Sequence, residues 1–139
     1  MSQTQMFGRH RVRFLPPDLV HIVFEGDVSR SEARGISEFF ASATEGIDTR
    51  YLVDLRKLGT IAPDGRRELA AQRKPPRTDR DYRVDLAFIG ANLRTKVLMT
   101  VVVAAASIAS NVKVRTHYFA GMADALAWAQ LDPSVLDEE

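Results

Sequence analysis

Cysteine is absent from the 139 residues. That removes disulfides, thiolate nucleophiles and Cys-ligated zinc together. An excess of either charge is also missing. Lys and Arg number 19 against 18 Asp and Glu, a formal net charge of +1, so no global field exists to recruit nucleic acid or an anionic membrane. No apolar run reaches bilayer length: the longest, Val97 to Ala109, contains Thr100 and Ser107. The opening "MSQTQMFGRH" lacks the apolar core of a signal peptide. The expectation is a cytoplasmic protein with no membrane insertion.

The motifs of common active sites are missing as well. There is no G-x-S-x-G elbow, no H-E-x-x-H, and neither of the glycine-rich phosphate-binding spacings. His10, His21 and His117 all fall in expected strands, where histidines exposed in cross-strand charge pairs are the simpler reading than a metal site. Asp54 lies near a strand's C-terminal end, where α/β sites gather. One acid names no reaction, and a buried Asp54 bracing the next loop accounts for it. The basic stretch from 66 to 83 is broken by acids at 68, 79 and 81 and has only Tyr82 for stacking. The reading is therefore non-enzymatic, with no catalytic residue, cofactor, metal or nucleic acid.

What is present is an ordinary globular balance, 45% hydrophobic and 27% charged, sufficient for one domain. In "RHRVRFL", Arg9, Arg11 and Arg13 alternate with His10, Val12 and Phe14, the period of a half-buried strand. "PPD" at 16–18 marks a turn, and "LVHIVFEG" puts Val20, Ile22 and Phe24 on one face of a second strand, completing a hairpin. "DVSRSEARGISEFFASATEG" then changes period, with Ala33, Ile36, Phe40 and Ala43 at helical spacing. Ser29 and Glu32 have capping-box spacing, and Gly46 is a helix stop. "RYLVDL" reads as a central strand, "VDLAFIGA" as a fourth, and "VKVRTHYFA" as a fifth. A long helix, Leu93 to Ser110, precedes the fifth strand, and a last amphipathic helix from Gly121 to Gln130 follows it. Residues 73 to 83 form a proline-broken, charged connection.

The expected architecture is α/β: a five-stranded mixed sheet with an N-terminal antiparallel hairpin, otherwise mostly parallel. Residues 1–8 are expected to be a disordered tail, 9–130 one domain, and 131–139 an acidic tail. Arg9, Arg11, Arg13, His21, Glu25, Asp85, Lys113, Arg115 and His117 all fall opposite the apolar positions of their strands. The helices are therefore expected mainly on one face, with the other wet or facing a partner. The helix Leu93–Ser110 has no polar face. It is either buried or offers a surface to a second copy, a partner protein or an apolar ligand.

Element order and the stretch "LVDLRKLGTIAPDGRREL" resemble the STAS domain, in particular bacterial stand-alone anti-sigma-factor antagonists, and the STAS-like branch that shares its fold with CRAL-TRIO lipid carriers. The likeness spans roughly residues 9 to 130. It implies a signalling role through protein–protein interaction, switched in such proteins by phosphorylation of a hydroxyl in D-S-S-G or D-S-[ST]-G at a helix start. Aligned on its strand and Gly65, this chain has Ala62, Pro63 and Asp64 there, so a permanent carboxylate replaces the acceptor. The resemblance places partner binding on Thr60, Ile61, Pro63, Asp64, Gly65, Arg66 and Arg67, toward a kinase or anti-sigma-like regulator. A homodimer is compatible with it. The alternative is a carrier of a small apolar ligand or lipid in a pocket beneath the helix Leu93–Ser110.

Overall fold

The computed structural model of the chain describes residues 3–44, 47–70, 82–109 and 112–131. The expectations for Gly46, for most of the 73–83 connection, for Ser110 and for nearly all of the acidic tail lie outside the described residues. The order is β1 (Gln3–Phe7), β2 (His10–Leu15), β3 (Leu19–Val28), α1 (Arg30–Ala43), β4 (Thr49–Ile61), α2 (Pro63–Ala70), β5 (Tyr82–Ile89), α3 (Leu93–Ala109), β6 (Val112–Phe119) and α4 (Met122–Ala129).

One sheet holds all six strands, and their spatial order is their chain order. β1, β2 and β3 run antiparallel, and β3 through β6 are parallel. The fold class is as expected, with six strands in place of five. The added strand is β1, where Gln3–Phe7 pairs in register with His10–Phe14 instead of forming a tail.

The layering follows from this order. Each parallel crossover advances one strand in the same direction, and right-handed crossovers then deliver α1, α2 and α3 to one face. Beneath them lies the larger core, built on Val20, Ile22, Phe24, Tyr51, Val53 and Phe88. Their chain neighbours point the opposite way. Leu19, Leu52, Ala87 and Ile89 form a second core with Ala125 and Leu126. So α4, which no crossover constrains, packs on the other face. Three helices of four share a face, and the face expected to be wet is partly roofed.

That roofing comes with a correction. Arg115 and Lys113 are exposed as expected, but Arg13 and His21 are buried. The histidines are not surface groups either. His10 is buried on the helix side, where Nδ1 accepts from the Glu25 N–H at 3.0 Å. That leaves Nε2 to carry the proton toward the Asp27 carbonyl, 3.1 Å away. His117, half-buried, lies against the Trp128 ring of α4.

Local signals built α1 as read. The Ser29 Oγ accepts from the Glu32 N–H, and the Ser29 N–H donates to Glu32 Oε1, closing the reciprocal capping box.

Candidate interaction groove

The junction "DLRKLGTIAPDG" is not a loop. β4 continues through it to Ile61, and only Ala62 separates the strand from α2. The extension pairs with the end of β3 through two irregularities in register. Asp27 holds it there: its Oδ1 accepts from the Thr60 N–H at 2.8 Å and from the Thr60 hydroxyl at 3.2 Å. These two hydrogen bonds, backbone first, draw the Asp27 carboxyl below its ordinary value. Gly59 is what permits the approach, since a Cβ there would strike the Asp27 carboxylate and lie 3.0 Å from the Gly26 backbone carbon.

Asp54 braces the start of this extension, as the sequence suggested. Its Oδ1 accepts from the Arg56 N–H and Nε at 3.1 and 3.0 Å, and its Oδ2 from Nη2 at 2.7 Å. Burial alone would push this carboxyl up, but the hydrogen bonds and charge of Arg56 outweigh it and hold it below the usual aspartate value. Asp54 is thus committed to Arg56, accepting one hydrogen bond from its backbone and two from its guanidinium.

The seven residues expected to bind a partner separate into two groups. Pro63, Asp64, Arg66 and Arg67 are exposed on α2, whereas Ile61 is 1% exposed and belongs to the main core. Gly65 is also buried, with Ala33 and Ile61 as its near neighbours. Thr60 is exposed but engaged with Asp27. The seven residues therefore do not form one surface.

Three of them meet a neighbour the sequence reading did not assign to the site. Thr60, Ile61 and Arg66 form one wall of a groove of about 420 Å³, and Asn92 with Arg94, Thr95, Val97, Leu98 and Val101 of α3 forms the other. Arg66 is fixed by Nε donation to the Ile61 carbonyl at 3.0 Å. Along the outer side of α3, Leu93, Val97 and Val101 are 79%, 58% and 59% exposed. Their spacing of four places them in one stripe. Isolated exposed apolar residues are ordinary, but a stripe bordering a groove is a recognition feature. The clue in the sequence was the apolar character of this helix all round, which did not say which residues face out.

The groove's charge has one sign. Among the described residues Arg66 and Arg94 line it and no acidic side chain does, while α3 carries Arg94 and Lys96 and no Asp or Glu. Asn92 starts the helix, its Oδ1 accepting from the Thr95 N–H at 2.9 Å. Among the described residues, no group of three or more His, Asp or Glu side chains is placed to hold a metal ion. No helix among them is long and apolar enough to cross a membrane. No family model matches the chain, and no curated protein matches it.

Proposed function

We propose that this protein is a non-enzymatic regulatory interaction module of the STAS type, and that it receives an acidic, apolar-studded segment of a partner protein in the groove between the end of β4 and α3. The observation that carries the reading is the stripe Leu93, Val97 and Val101 beside a concave wall whose charged lining, among the described residues, is Arg66 and Arg94. Concavity favours an inserted segment, as when an amphipathic helix lays its apolar face into a groove. Lining charge favours acids on that segment's rim.

A phosphorylation switch of the kind found in anti-sigma-factor antagonists has no acceptor here. In this reading Asp64 stands where such proteins carry the acceptor, and the nearest hydroxyl in sequence, on Thr60, donates to Asp27. Binding is accordingly constitutive in this reading.

Photo-crosslinking from position 97, with position 113 on the opposite face as control, tests the proposal. The expected product links residue 97 to a partner segment rich in Asp or Glu with apolar residues three or four apart. The Arg94→Glu variant should weaken that complex at least tenfold and flatten its salt dependence. Crosslinks confined to position 113, or a basic segment at 97, would refute it.

A further inference from the structure

The inward side of α3 encloses a separate space. Met99, Val102 and Val103 roof a cavity of about 90 Å³ whose floor is the sheet, with Phe40 and Leu69 at its sides. It is partly open to solvent at its mouth. None of the side chains lining the outer groove lines this cavity.

Its chemistry is uniform. All thirteen described lining residues are hydrophobic, and Tyr51 contributes the one polar side-chain atom among them. That hydroxyl is already hydrogen-bonded to Thr44, and burial pushes the phenol up to about 12, so it stays neutral. A water molecule inside would lack the two to four polar partners it needs. A carboxylate or ammonium would be stranded without compensation. Lining atoms that face empty space lose their dispersion contacts, which a hydrocarbon would restore. Five of the thirteen positions are valine, where one more methylene on any of them would begin to close the void. The space is thus kept open by small residues within the larger core.

We propose that this cavity is a binding site for the uncharged end of an alkyl chain, which enters tail-first and leaves any polar head at the mouth. A dry cavity of about 150 Å³ with comparable lining accepts benzene. The smaller, partly open space here suits the last carbons of a straight chain better than a ring. This site does not depend on the groove reading, because its residues lie on the other side of α3.

The test is titration of the full chain with straight-chain alcohols from butanol to decanol, followed by the methyl resonances of Met99 and Val103. Those resonances should move, with affinity rising with chain length to a cut-off. Filling the space with Val84→Leu plus Val114→Leu should reduce affinity at least tenfold while the spectrum keeps its native dispersion. Should that variant not fold, Val53→Ala decides: enlarging the cavity should move the cut-off to longer alcohols. Val97→Asp in the groove should leave binding unchanged. No shift up to the solubility limit, a cut-off indifferent to Val53→Ala, or loss of binding in Val97→Asp would each overturn the proposal.

Discussion

The two faces of this sheet are made from the same strands but solve different problems. The face under α1, α2 and α3 is apolar across the sheet from Val12 to Val114. Its surplus volume is left as a cavity. The face under α4 has a smaller apolar patch around Leu52, Ala87 and Ile89, and beside it are the buried Arg13, His21 and Asp54. One side is mostly apolar and incompletely filled, while the other is mixed and only partly roofed. Leu52 and Val53 put the contrast in two consecutive residues, 0% and 3% exposed, which point to opposite faces. Leu52→Ala should cost about 4 kcal/mol, since it opens a new void in a filled patch. Val53→Ala should cost about 2 kcal/mol, because it removes less and borders space that already exists. Urea unfolding of both variants checks this. Equal losses would mean that the cavity is packed in solution.

The mixed face should also make the protein sensitive to acid. His21 is 2% exposed, and neither ring nitrogen has a hydrogen-bond partner among the described residues. Burial, then the charges of Arg13 and Arg11, lower its pKa from 6.5 to about 4, with Arg56 adding slightly and Asp54 opposing. Between those values the unfolded chain takes up a proton at residue 21 that the folded chain refuses. Stability therefore falls as pH falls from 6.5 toward 4, by about 3 kcal/mol in total, and is level above 6.5 as far as this group is concerned. The Asp54 contribution has a lower window. Its carboxyl is depressed below 3.8, so its stabilisation holds above that value and is lost as pH falls beneath it. Unfolding at pH 7.5 and 4.5 should separate wild type from His21→Leu, with the variant losing most of the difference between the two pH values. An unchanged pH profile in the variant would remove His21 as its source.

Much of this contrast was legible in the sequence, though only its local half. Alternation placed Val20, Ile22 and Phe24 together and His21 opposite them, because side-chain parity along a strand is a property of the backbone. Which of those sides receives cover is a non-local outcome. Nothing in "GMADALAWAQ" says that α4 packs on the face opposite α1, so Arg13 and His21 were read as exposed. β1 was missed because "QTQMF" has little apolar alternation and is specified by pairing with β2. The extension of β4 was missed because Lys57 and Gly59 read as loop residues. It is held by Asp27, more than thirty residues earlier in the chain. For the candidate site, Thr60 and Arg66 were within reach of sequence reasoning. The α3 wall was not, since a helix apolar all round conceals which residues face outward.

The helices on the two faces also differ in how their starts are specified, and here the effects are smallest. α1 closes its first turn with Ser29 and Glu32. α4 begins at Gly121, which has extended backbone and no side-chain cap. α1 is thus encoded locally, whereas α4 relies on Ala125, Leu126 and Ala129 being buried against the sheet. Ser29→Ala should destabilise by about 1 kcal/mol by orphaning the Glu32 N–H, while the backbone N–H of residue 29 still donates to Glu32 Oε1. Gly121→Ser should do the reverse. A Cβ at residue 121 meets nothing within 4 Å, and the backbone there suits any residue. The new hydroxyl can cap the first turn while the unfolded chain loses freedom, together worth about 0.5 kcal/mol. Thermal melts of the two single variants and of the double would show whether the opposing shifts add. They should, because the sites lie on opposite faces with no shared partner. A gain at Gly121 as large as the loss at Ser29 would mean that α4 is limited by its cap, not by its packing.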